Sequence, residues 1–190
     1  GDDNVAVGYD ALSANTTGHS SIAIGRDALI KSTTASWNTA VGDSAMTENT
    51  TGWGNSVIGA KALGNNTTGS GNIAVGGDAL RANTTADANS ALGTYALTAA
   101  TVPVNSVCIG HDSGKAITEG NSNTYIGQGT GTATTTGNSN VGVGLQGLSA
   151  NTTGSANTAV GYASLDANTT ASNNTAVGYN SLTENTTGAY

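Results

Sequence analysis

Several side chains carry the chemistry a site would need. Asp10, Asp27, Asp78 and Asp112 each stand two residues after a recurring glycine. Stacked at one position of successive repeats, two such carboxylates could approach the separation that a retaining glycosidase pair requires. The competing account is a solvated acidic edge relieved by Arg26 and Lys61, and it is preferred because nothing in the pattern suggests a cleft. Gly110-His111-Asp112-Ser113-Gly114-Lys115-Ala116 imitates a phosphate loop, but it is one residue short between its glycines. It also places Ala116 where a magnesium-holding Ser or Thr belongs. His19 and His111 fall in different columns, too far apart to share a metal. No catalytic residue, metal ligand or cofactor is therefore assigned. Tyr9, Tyr162 and Tyr179 just after the glycine, and Trp37 and Trp53 in the adjoining turn region, are better candidates for binding. Exposed aromatics could stack on sugar rings, or they could pack on the turn or on a neighbouring subunit.

These residues are positioned by one unit repeated along the whole chain. Gly8, Gly25, Gly42, Gly59, Gly76, Gly93, Gly110, Gly127, Gly144, Gly161 and Gly178 recur at intervals of 17 residues, with no insertion or deletion over eleven copies. A fixed period of this size marks a stacked repeat architecture. Numbering each copy from its glycine as zero, position −1 is always aliphatic and position −3 is β-branched or small, which is strand chemistry. Position +4 is Leu or Met in nine of the eleven copies, and position −2 is mostly Ala. The period predicts an all-β, parallel β-solenoid (β-roll) of eleven 17-residue coils, each with two or three short strands, spanning residues 1–190 as a single repeat domain.

Position −4 is Asn in nine copies and +7 is Asn in seven, while +8 is Thr in all eleven. Stacking would turn these columns into ladders bonded along the axis. The Val/Ile side of each strand and Leu at +4 are expected to fill the core. Two large aliphatics per coil are few for the 17 residues they must order. The strand is also apolar on both faces, as covered strands are. A second subunit is therefore expected over the Ala face. Copies from about 99 to 131 depart from the pattern: Gly114 and Gly131 replace Leu, and Pro103 appears. That departure fits either neutral drift or a specialised surface.

Composition limits the partners. Net charge is −7 with only 9% charged residues, which excludes the basic face that nucleic acid requires. No apolar run is long enough to span a bilayer. Cys108 is a lone cysteine in the Ala column and is expected to be a buried small hydrophobe. The chain begins and ends inside a repeat, which suggests a fragment of a longer fibre.

Asn38-Thr39-Ala40-Val41-Gly42, Asn157-Thr158-Ala159-Val160-Gly161 and Asn174-Thr175-Ala176-Val177-Gly178 resemble the head repeats of YadA-like trimeric autotransporter adhesins. The same style occurs in bacteriophage tail fibres. The adhesin repeat is shorter, and the extra residues here fall around Asn-Thr-Thr-Gly. The resemblance implies a left-handed coil and a homotrimer, located at a cell surface, outside the cell or on a virion. It further implies a non-enzymatic structural rod that presents repeated weak sites to a host-surface glycan or protein receptor.

Two alternatives remain open. One is an ice-binding solenoid using a Thr column: Thr16, Thr33, Thr50, Thr67, Thr84, Thr152, Thr169 and Thr186. Neighbouring strand residues face opposite ways, so Thr16 and Thr17 would not share one flat face. The other is an extracellular filament assembling end to end through uncapped coils.

Overall fold

The computed structural model describes residues 1–102 and 105–188, so Pro103 lies outside the described residues. The strands are β1 (Val5–Val7), β2 (Ile22–Ile24), β3 (Thr39–Val41), β4 (Ser56–Ile58), β5 (Ile73–Val75), β6 (Ser90–Leu92), β7 (Val107–Ile109), β8 (Thr124–Ile126), β9 (Val141–Val143), β10 (Thr158–Val160) and β11 (Thr175–Val177). They form one parallel sheet in sequence order, β1 to β11. Every pairing keeps the 17-residue register, as in Ile22 opposite Thr39 and Ala23 opposite Ala40. The protein is thus a parallel β-solenoid, with no helix among the described residues.

Each coil contains one three-residue strand rather than the two or three expected. The remainder of the coil is turn, yet it too is tied to its neighbours. The Leu29 N–H donates to the Ala45 carbonyl at 3.1 Å, the Thr50 N–H to Thr67 at 2.9 Å and the Asp27 N–H to Tyr9 at 2.9 Å. Coil-to-coil bonding therefore continues where strand geometry ends, which satisfies backbone groups that would otherwise be buried without partners.

The turns need unusual backbone. Position +4 lies in the left-handed region although it is Leu or Met, as at Leu63 (φ 49°) and Leu80 (φ 52°). The repeat glycine is required twice over. Gly42 has φ 142°, and a Cβ there would meet the carbonyl carbon of Gly59 in the next coil at 2.6 Å.

The strand face that points inward is opposite to the expectation. Ala23, Ala40, Ala74, Ala91 and Ala159 are fully buried, as are Leu29, Met46, Leu63, Leu80, Leu97, Leu148 and Leu165. The Val/Ile columns face outward: Val7 is 56% exposed and Ile58 51%. The Ala face therefore needs no second subunit, because the chain's own Leu column covers it. A coil this narrow leaves room for only a small side chain opposite each Leu, a methyl in most coils and Val57 opposite Leu63. The uncovered face is the β-branched one.

Two buried amide ladders line the coil interior. Asn55 Oδ1 accepts the Asn72 N–H at 2.9 Å, and Asn55 Nδ2 donates to Asn38 Oδ1 at 3.1 Å and to the Gly69 carbonyl at 3.0 Å. In the second ladder Asn66 Nδ2 donates to Asn49 Oδ1 at 2.8 Å and to the same Gly69 carbonyl at 2.9 Å. The ladders predicted for Asn therefore form, and both converge on one acceptor per coil.

The departures between 99 and 131 are a compensated rearrangement of the core. Tyr125 takes the Ala position of β8 and is fully buried. A Cβ on Gly131 would overlap its ring, one on Gly142 would meet its Cδ1 at 3.0 Å, and one on Gly114 its Cδ2 at 3.4 Å. The Tyr125 hydroxyl shares a hydrogen bond of 3.0 Å with Thr134, which stands where an Asn would be. Ile117 replaces another Asn of that column and is fully buried. Neither drift nor a surface feature is needed to account for the Leu-to-Gly changes.

Candidate functional site

The exposed aromatics gather in three places, one of them Tyr95 edge to face with His111 at 5.9 Å, and leave one residue apart. The first group runs along successive coils just before the strands. His19 and Trp37 meet edge to face with centroids 4.8 Å apart, and Trp37 and Trp53 follow at 6.5 Å with an interplanar angle of 78°. Both indoles are 58% exposed. An open hollow of about 410 Å³ beside Trp53 is lined by Thr68, Ser70, Gly71, Asp87 and Ala88. The second group is Tyr162 stacked on Tyr179, with centroids 5.1 Å apart and planes 12° from parallel. It borders a hollow of about 450 Å³ with Asp166, Glu184 and Gln146 on its walls. Tyr9 stands in the first coil, highly exposed.

Position determines these exposures. Position +1 follows the glycine bend, so Tyr162 and Tyr179 project from the coil as expected. The Trp strip occupies the turn entering the strand, where the chain adopts left-handed backbone at Trp37 (φ 58°), Gly54 (φ 67°) and Gly71 (φ 67°).

Three of the four aspartates of the +2 column, Asp27, Asp78 and Asp112, are paired with a base, while among the described residues Asp10 and Lys61 form no ion pair. Arg26 reaches Asp43 in the next coil at 2.8 Å and Asp27 at 3.7 Å. The hydrogen bond from Arg26 is the largest influence on Asp43 and holds its carboxyl below the usual range. Asp78 pairs with Arg81 at 3.1 Å. Asp112 pairs with Lys115 at 3.1 Å and lies 3.2 Å from His111, so the phosphate-loop mimic is a local ion cluster. Exposed pairs of this kind contribute little stability. No group of three or more His, Cys, Asp or Glu among the described residues could hold a metal.

Cys108 is fully enclosed, and burial pushes its thiol up to about 12, so it carries no thiolate at neutral pH. Burial likewise raises the Tyr125 phenol above its ordinary value. Both are buried core residues.

The Thr column bonds along the axis. Thr16 Oγ1 donates to the Thr33 carbonyl at 2.9 Å, Thr50 to Thr67 at 3.0 Å and Thr152 to Thr169 at 3.0 Å. These hydroxyl protons are committed to the next coil rather than offered to water as a free array. The sequence missed Asp87, Ser70 and the paired glycines Gly54 and Gly71. Their signal was the placement of two glycines in consecutive copies at a position usually held by a side chain. No protein-family model, curated protein or solved structure matches the chain.

Proposed function

We propose that the chain is a rod segment of a homotrimeric, extracellular surface fibre, without enzymatic activity, of the adhesin-head or phage tail-fibre kind. One observation carries this reading: an outward-facing column of Val, Ile or Leu at position −1 runs unbroken along β1 to β11, beside a −3 column of Val, Ile, Thr and Ser. None of the twenty-two residues at positions −3 and −1 is charged. Ile73 and Leu92 are 47% and 46% exposed there. Contiguous apolar surface of that extent marks an interaction site, and parallel sheets are normally covered on both faces. Three copies around an axis parallel to the coil would bury one such face each and close the assembly. The resemblance of the repeats supports three copies. The rod then acts by spacing and multivalency, displaying its exposed aromatics three times over to a receptor or glycan.

Light scattering on the eluting protein tests the proposal. A mass near three times 18.4 kDa is expected. Ile58→Glu, which places a charge in the middle of the face, should dissociate the trimer and leave the coil folded. A monodisperse wild-type monomer overturns the proposal. If that monomer shows thermal hysteresis, the Thr column becomes an ice-binding surface. A large, heterogeneous mass with threads in the electron microscope would indicate the end-to-end filament.

A further inference from the structure

We infer that the Trp37–Trp53 strip and the hollow beside it form a subsite for a neutral pyranose oligosaccharide. The inference deepens the fibre reading by naming the class of ligand the rod presents itself to. The hollow has one aromatic wall and one polar wall. Trp53 supplies the first, 58% exposed. Asp87 and Ser70 supply the second, and both are fixed in place: the Trp53 N–H donates to Ser70 Oγ at 3.1 Å, and the Ser70 N–H donates to Asp87 Oδ1 at 2.7 Å. Ser70 Oγ in turn donates to the Thr68 carbonyl at 3.2 Å. Three successive coils therefore hold an indole, a hydroxyl and a carboxylate without help from a ligand.

The floor is bare because Gly71, which follows Gly54 in the same column, stands where the other copies carry Asp, Ser, Ala, Asn or Trp. A Cβ on either would meet nothing within 4 Å, so the space above them is open.

A pyranose matches this arrangement. Its C–H face packs on an indole, and the hydroxyls on its rim donate to a carboxylate. An apolar ligand would leave Asp87 unsatisfied. An anionic sugar or a nucleotide would meet the Asp87 charge on a chain of net charge −7. Trp37 and His19 continue the aromatic strip along the coil axis, so the ligand is a chain of several sugar units lying along the rod.

The chain's two tryptophans are both in the strip, so intrinsic fluorescence reports directly on the site. The full-length chain would be titrated with chitohexaose, cellohexaose and maltohexaose, and with a hexagalacturonate as the anionic counterpart. A saturable change with at least one neutral hexamer and none with the galacturonate is expected. Trp53→Ala should weaken that response about tenfold or more. Asp87→Asn should weaken it less, and Arg26→Gln, outside the aromatic groups, should leave it unchanged. Silence with every neutral hexamer overturns the inference, as does equal binding of the galacturonate. An emission shift that follows protein dilution would also overturn it, by assigning the indoles to a subunit contact. The mass measurement is independent of these titrations, so a failed sugar site leaves the fibre reading standing or falling on its own result.

Discussion

The coils of β4 to β6 and those of β7 to β9 share a period and a backbone but fill their interiors differently. In the first set, Leu63, Leu80 and Leu97 fill the coil from position +4 against Val57, Ala74 and Ala91 at −2. In the second, the bulk crosses to position −2 in the β7 and β8 coils, where Cys108 and Tyr125 are buried and Gly114 and Gly131 stand opposite, and it returns to Leu148 beside Gly142 in the β9 coil. The amide ladder at +7 is interrupted over the same stretch, ending at Asn83, whose Oδ1 has no partner where Ala100 follows. It resumes at Asn151, which Asn168 Nδ2 meets at 2.9 Å. The other ladder continues in reduced form, with the Asn123 N–H donating to Ser106 Oγ at 3.3 Å. The coil conserves the filled volume of its cross-section and its backbone bonding. Which column supplies the volume is free to change, provided that partner positions change together.

The largest test of that conclusion is a double-mutant cycle. Tyr125→Ala should cost about 4 kcal/mol, because glycines at 114 and 131 cannot refill the space. Gly131→Leu should cost about 3 kcal/mol through overlap with the ring. Position 131 has φ 62°, close to the backbone of the other Leu positions, so the new side chain bears the same left-handed strain that they do, and this is part of the cost. The double variant restores the regular packing and should cost less than the sum by about 2 kcal/mol or more. Urea unfolding at fixed protein concentration would measure all three. Simple additivity would show that the two residues do not exchange volume.

The middle-sized test concerns the ladders. Asn55→Ala removes the acceptor of the Asn72 N–H and breaks the link to Asn38, so it should cost about 3 kcal/mol. Asn55→Ser should cost only about 1 kcal/mol, because Ser106 performs the same acceptor role in the irregular coils. Equal losses for both variants would mean that the amide is needed for its volume rather than for its bonds.

How much of this was legible follows from the same comparison. The period, the parallel stack, the glycine bend, the Leu column and the Asn ladders each show as a single repeated residue type. The direction of the strand does not. Val and Ile look like core, and Ala like a face for close approach. The assignment depends on coil width, which is set by left-handed backbone at residues such as Leu63 that ordinary propensity does not predict. Tyr125 was legible only jointly: a large residue at −2 coincides with glycines at +4 in neighbouring copies, and each change looks like drift by itself. The candidate sugar site was half visible. Its tryptophans stand out in composition, while Asp87 and Ser70 belong to later copies and join Trp53 only after stacking.

The smallest test separates backbone strain from packing. Ala156 has φ 55° and lies exposed in the column where Gly71 has φ 67°. An L-residue loses about 1–2 kcal/mol in this region, and glycine returns part of that gain through the greater freedom of its unfolded chain. Ala156→Gly should therefore stabilise the protein by about 0.5–1 kcal/mol. Gly71→Ala should destabilise it by a similar amount, although its new methyl would meet nothing within 4 Å. Opposite shifts of equal size would show that the strain belongs to the turn backbone and is the same in different coils, whatever fills them. If only Gly71→Ala has an effect, the strain at Ala156 is already relieved by its neighbours, and the coils differ in their backbone as well as in their cores.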